Sequence, residues 1–155
     1  MTAADAGGGG IYRAELLEHA RNPVGCATIA RDEAGSVRKV NPACGDEVRL
    51  RLVKDATGRI VRVEHQTRGC AICVASASML ATEVSARGGM TPADAFARAA
   101  EVSDRLATGR FEPTDGPLQA LAPVSRFPAR LACARLAWTT LADAAAASAS
   151  PPSKT

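Results

Sequence analysis

The sequence predicts an α+β fold, a small antiparallel three-stranded sheet packed against several helices, and three observations predict it. Val48, Leu50 and Leu52 alternate with Glu47, Arg49 and Arg51, the two-residue period of a half-buried strand. After the turn Asp55-Ala56-Thr57-Gly58, Ile60 to Thr67 resumes that alternation through Val61 and Val63. Beyond Gly69-Cys70 the pattern changes to that of a helix, from about Ile72 to Ala86.

The elements follow in order. Residues 1–10, with four consecutive glycines, read as a flexible leader. Residues 11–147 form one domain without internal repeat or linker, and residues 148–155, with Pro151-Pro152, read as a disordered tail. A short helix over Ile11 to Ala20 carries Leu16, Leu17 and His19 and ends near Asn22-Pro23, because proline disfavours helix in the residue before it. Ser36 to Val40 makes the third, shorter strand. In the helix after Cys70, Ala75-Ser76-Ala77-Ser78 lets a neighbour approach closely. Thr91 and Pro92 are the cap and first position of a helix reaching about Ala107. Gly109 to Pro123 is turn-rich, interrupted by Leu118 and Leu121. The last helix starts at Pro128 and carries Leu131, Ala134, Arg135, Trp138 and Leu141 along one stripe.

Of the 155 residues 46% are hydrophobic but only 3% aromatic, so the core is built from Leu, Val, Ile and Ala, which favours closely packed helices. A net charge of +3, scattered arginines and few aromatics exclude a nucleic-acid-binding face. Charged residues interrupt every apolar stretch well short of the ~18 residues that span a bilayer. The N-terminal segment lacks the basic run and apolar core of a secretory signal. Five cysteines without such a signal imply a reducing cytoplasm, with reactive or ligating thiols rather than a disulfide framework.

The candidate chemistry lies in Asn41-Pro42-Ala43-Cys44-Gly45-Asp46, read with Cys70 and Cys133. Cys44 and Asp46 alternate about a glycine, so both side chains can turn toward one ion. Zinc accepts thiolate and carboxylate in four-coordinate geometry, and a hard oxygen in a sulfur set suggests a labile or reactive centre. Cys44 sits in a loop, exposed and mobile as a thiol visiting a partner must be. Cys70 sits at a strand-to-helix junction, where helix amides stabilise a thiolate. Cys133 lies within the last helix, and Arg130, three residues earlier, shares its face. Three thiolates, one carboxylate and a divalent ion sum to −2, and Arg130 is the natural counter-charge. Taken singly, each cysteine is more often a small buried hydrophobe, Asp46 suits a turn cap, and Arg130 suits a solvated helix. Only joint placement in one fold lifts the set, and spacing does not establish it.

Several segments together decide between these readings. They are Ile11-Tyr12-Arg13 with His19, Asn22 and Pro23; Asn41 to Asp46; Gly69-Cys70-Ala71-Ile72; Ala75-Ser76-Ala77-Ser78-Met79; and Val124-Ser125-Arg126-Phe127-Pro128-Ala129-Arg130 leading to Cys133. In these the chain resembles the SufU-type branch of the U-type iron–sulfur cluster assembly proteins, whose fold is the IscU-like one. Ala132 stands where scaffold-type IscU relatives carry a ligating histidine, which favours the SufU branch. The resemblance implies a zinc site of Cys44, Asp46, Cys70 and Cys133, and a role for Cys44 as acceptor of persulfide sulfur from a SufS-type cysteine desulfurase. It implies a sulfurtransferase-like carrier rather than a stand-alone enzyme, passing sulfur to downstream iron–sulfur assembly proteins. The alternatives are a [2Fe-2S] assembly scaffold using the same ligands, with iron in place of zinc, and a non-catalytic zinc domain that only binds partners.

The chain departs from the family pattern in two places. His65-Gln66-Thr67-Arg68-Gly69-Cys70 replaces Phe-x-Gly-x-Gly-Cys, and His65, on the face of Val61 and Val63, is expected to be a partly buried structural histidine. Cys73 stands where serine is usual, creating Cys70-Ala71-Ile72-Cys73. That spacing also suits a redox pair, but it lacks the surrounding βαβ pattern. Cys26 follows a turn and is taken as incidental.

Overall fold

The computed structural model describes residues 14–149, so the expected leader and residues 150–155 of the expected tail lie outside the described residues. The first helix, α1, spans Ala14–Arg21 and is followed by three strands, β1 (Val37–Val40), β2 (Glu47–Lys54) and β3 (Ile60–Arg68). They pair antiparallel in the order β1-β2-β3, with Val40 opposite Glu47 and Leu52 opposite Val63. Helices α2 (Ala71–Ala86), α3 (Pro92–Thr108) and α4 (Pro128–Ala149) follow, with a 3₁₀ helix over Pro113–Arg126 between the last two.

The alternation in β2 sorts its two faces. Val48 and Leu50 are buried against the helices, whereas Arg51 on the other face reaches Glu33 and Glu64 at 2.6 and 2.7 Å. Helix α2 has no polar side. Ile72, Cys73, Ala75, Ser76, Ala77, Met79, Leu80 and Val84 are all buried, because α2 is packed by β3, α1 and α4 together. Its serines serve that packing. The Ser76 hydroxyl donates to the Ala134 carbonyl at 2.6 Å and accepts from Trp138 Nε1 at 3.1 Å, joining α2 to α4. Ser78 Oγ lies 2.7 Å from His19 Nδ1 and accepts from the Val24 amide at 2.8 Å, joining α2 to α1 and the segment after it.

Helix α3 starts as its sequence predicts, with Thr91 accepting from the Asp94 amide at 3.0 Å and Pro92 next. Gly109 closes it at φ +73, the left-handed conformation glycine adopts without strain. Arg98, 7% exposed, pairs with Glu83 of α2, Glu101 of α3 and Asp115 of the 3₁₀ helix, tying three elements together.

Three expectations are corrected. The segment expected to be turns between Gly109 and Pro123 is largely 3₁₀ helix, broken only at Gly116 (φ 60°, ψ −131°). A capping box between Glu112 and Asp115 starts it, Pro117 suits a fresh first turn after the break, and burial of Leu118, Leu121 and Val124 holds it. Ser148, expected in the tail, belongs to α4 and accepts from Lys54 Nζ at 2.7 Å. His65 is fully buried rather than partly so, and its role is structural: Nδ1 lies 2.8 Å from Thr67 Oγ1 and Nε2 lies 2.9 Å from the Val24 carbonyl. Among the described residues no helix is long and apolar enough to cross a membrane.

Candidate metal centre

The turn joining β1 to β2 positions Cys44 and Asp46, and Asn41 organises it. The Asn41 amide donates to the Asp46 carbonyl at 2.8 Å, and the Asn41 carbonyl accepts from the Gly45 amide at 2.7 Å. Asn41 Oδ1 accepts from the Ala43 amide at 3.0 Å, as an Asx turn requires. Gly45 takes φ +79°, which lets the chain reverse between the two donors. Cys44 is left exposed at the tip, while Asp46 is turned inward and only 8% exposed.

Asp46 Oδ2 is buried without a hydrogen-bond partner among the described residues. An orphaned carboxylate oxygen in the interior is costly, and a bound cation would satisfy it. Gly69 makes room for this carboxylate. A β-carbon there would sit 2.6 Å from Asp46 Cγ and 2.9 Å from Oδ1, closer than any side chain tolerates.

Cys70 follows Gly69 and is the N-cap of α2, half-buried and with no side-chain cap hydrogen bond. Cys133 enters from α4 and is 2% exposed. The Cys44 and Cys133 sulfurs and one Asp46 oxygen all lie within 4.8 Å of one another. Tetrahedral coordination with metal–sulfur distances near 2.3 Å places donors roughly 3.5–3.8 Å apart, so small side-chain shifts close the set. Cys70 stands outside this trio, though its thiol is among the groups that act on Cys133. The hairpin and the last helix thus bring three of the four expected donors together, and the fourth, Cys70, lies at the strand-to-helix junction outside that trio.

Without an ion, the buried thiols of this region are disfavoured as thiolates. Burial pushes the Cys133 thiol well above its usual range, and the Asp46 and Cys70 groups beside it push further. Cys73 is raised likewise, first by burial and then by Asp46, Cys70 and Cys44. A divalent ion reverses that sense, since a coordinating thiol is deprotonated outright. Arg130 is half-buried on the first turn of α4, three residues before Cys133. Cys26 is exposed, bridges to His65 through its backbone, and is not in the cluster. Reading the residues alone missed Gly69 as a determinant; a glycine immediately before a candidate ligand, where a strand ends, is the signal that marks it.

Fold and site together define an α+β domain with a thiolate–carboxylate donor cluster between a hairpin and two helices. The family model for the NifU-like N terminal domain matches residues 11–115, and the chain belongs to that family. It is 32% identical over 134 residues to the zinc-dependent sulfurtransferase SufU of Bacillus subtilis (strain 168), covering 84% of this chain and 86% of that one. It is 31% identical over 137 residues to the iron-sulfur cluster assembly scaffold protein IscU of Streptococcus pyogenes serotype M1, covering 86% and 82%. Among solved structures, a nitrogen-fixing NifU-like protein (N-terminal) from Brucella abortus superposes with a TM-score of 0.70 at 26% identity, over 86% of this chain and 91% of that one.

Proposed function

We propose that this chain is a zinc-dependent persulfide acceptor in iron–sulfur cluster assembly, taking sulfur from a SufS-type cysteine desulfurase in the cytoplasm and passing it to downstream assembly proteins. One observation carries the reading: an exposed thiol, Cys44, stands beside a buried carboxylate with an orphaned oxygen and a second, buried thiol. Cys44, Asp46, Cys70 and Cys133 would hold the zinc. The bound ion supplies a redox-inert charge that keeps its thiols ionised. Arg130 offsets the net −2 of three thiolates, a carboxylate and the divalent ion.

The chain's own residues divide the work. Buried Cys133 and Asp46 stay in place, whereas Cys44 at the hairpin tip can be reached by a partner. The Cys44 thiolate attacks the outer sulfur of the desulfurase persulfide. That sulfur–sulfur bond breaks, the desulfurase cysteine leaves as a thiolate, and Cys44 carries the persulfide. The chain acts as a carrier and not as a stand-alone enzyme.

Similarity to a protein named a scaffold supports a second reading, in which the same residues hold a [2Fe-2S] cluster. Ala132 beside Cys133 offers no donor for it, and metal analysis after purification without oxygen separates the two. The decisive assay supplies labelled cysteine and a SufS-type desulfurase, then maps the labelled sulfur. Cys44→Ser is expected to abolish labelling while Cys26→Ser leaves it intact. Native-rate labelling of Cys44→Ser rejects the proposal.

A further inference from the structure

The outer face of the sheet gathers arginines that the metal centre does not use. Arg49 of β2 stands opposite Gln66 of β3, and Glu47 stands opposite Arg68. Val48, Val63 and His65 are buried on the inner face, so these four alternate outward. With Arg31, from the segment before β1, they line a recess of about 120 Å³. Arg49 is its built part: 7% exposed, it donates from Nη1 to the Arg31 carbonyl at 2.9 Å and from Nη2 to Glu47 Oε2 at 3.2 Å. Gln66 Oε1 accepts from the Ile29 amide at 3.0 Å, which leaves its NH₂ end, the donor end, without an acceptor among the described residues. Arg31 and Arg68 are exposed, and among the described residues neither guanidinium has a hydrogen-bond or ion-pair partner.

We infer that this recess is an oxyanion site that takes a phosphate group. The lining carries three guanidinium charges against one carboxylate, a local charge of +2. That carboxylate is already shared between Arg38 and Arg49, at 2.8 and 3.2 Å, so it neutralises neither Arg31 nor Arg68. Like charges brought together across neighbouring strands repel, and a bound anion removes that cost. A phosphate group near neutral pH carries about −1.5 to −2, which matches the surplus, whereas a single carboxylate leaves half of it. Guanidinium forks grip phosphate oxygens in pairs, and the Gln66 amide adds a neutral donor beside them. The recess is also held in shape before any ligand arrives, since the strand pairing fixes four of its residues and Arg49 holds the Arg31 backbone. Its size admits the phosphate group itself, and a larger ester extends from its mouth.

The test is a nuclear magnetic resonance titration of the full, isotope-labelled chain with inorganic phosphate, at an ionic strength held constant with chloride. Saturable movement of the Gln66 side-chain amide signals is expected. Arg31→Gln and Arg68→Gln, both at exposed positions that the fold does not depend on, are each expected to weaken binding about tenfold or more, the worth of a hydrogen bond to a charged group. Arg110→Gln removes the same charge from an exposed residue outside the recess and should bind phosphate as wild type does. Equal weakening in all three variants, or none in Arg31→Gln and Arg68→Gln, overturns the site. Movement confined to the Cys44 and Gly45 amides that survives both arginine changes puts the phosphate on the metal centre and overturns it as well. Acetate is expected to leave Gln66 unmoved, and saturation by acetate as tight as by phosphate overturns the phosphate assignment. Glycerol phosphate separates the sources: tighter binding than inorganic phosphate identifies an ester as the occupant, weaker binding identifies the free ion, and either keeps the phosphate group.

Discussion

At the scale of single residues, the centre depends on the fit between Asp46 and Gly69. Gly69 is not in the left-handed region, so its requirement is one of space and not of backbone strain. Adding a methyl group 2.6 Å from Asp46 Cγ forces the carboxylate out of its place. Gly69→Ala is therefore expected to destabilise the metal-free protein by about 1–3 kcal/mol, the usual cost of overpacking. It is also expected to lower the metal content after gel filtration. Denaturant midpoints and metal analysis check both, and full native metal content would show that the carboxylate is not a ligand. The four candidate donors could be set apart from the other residues only through family resemblance, since cysteine spacing from Cys44 to Cys133 says nothing about convergence. Gly69 could not be weighed at all without the carboxylate beside it. His65 was legible as structural from its place on the inner face of β3, but its two polar contacts come from distant backbone and a neighbouring threonine.

At the scale of elements, the strands were legible because one face of the sheet is buried and the other solvated, which writes a two-residue period into β2 and β3. Helix α2 was legible from its position after Cys70 and its small residues. It carries no helical stripe to read, because neighbours cover it on several sides. The 3₁₀ helix was not legible: Pro113, Gly116, Pro117 and Pro123 all signal turns, and only burial of Leu118, Leu121 and Val124 makes the segment helical. Helix α2, capped by Cys70, packs on α4, which carries Cys133, and Ser76 fastens that contact at Ala134 and Trp138. Ser76→Ala leaves the buried Trp138 N–H without its acceptor, a penalty of about 1–3 kcal/mol. The expected result is a lower urea midpoint with an unchanged m-value. A shift in metal affinity should accompany it, because the removed bond lies one residue from Cys133. An unchanged midpoint would mean that water or another acceptor replaces Ser76.

At the scale of the whole molecule, stability is linked to pH through the chain's two histidines. Burial holds His65 below its ordinary value against the weaker opposing effect of its bond to the Val24 carbonyl. Burial likewise lowers His19, with Glu15 and Glu18 opposing. A histidine depressed in the folded state takes up its proton first in the unfolded chain, so acid favours unfolding. The stabilisation is fully present above the unfolded value of 6.5 and is lost as pH falls through it toward the folded value. Glu47, Glu64 and Glu101, held low by arginine partners, add a separate loss only as pH falls below their ordinary value of 4.5. Metal-free reduced protein is therefore expected to show a lower urea midpoint at about pH 5.5 than at about pH 7.5, a window set by histidine. His65 accounts for a slope of at most about 1.4 kcal/mol per pH unit. His65→Gln, which keeps a polar side chain without the titration, should be less stable at neutral pH and have a flatter profile. Identical profiles for wild type and His65→Gln would show that the buried imidazole does not govern the acid limb.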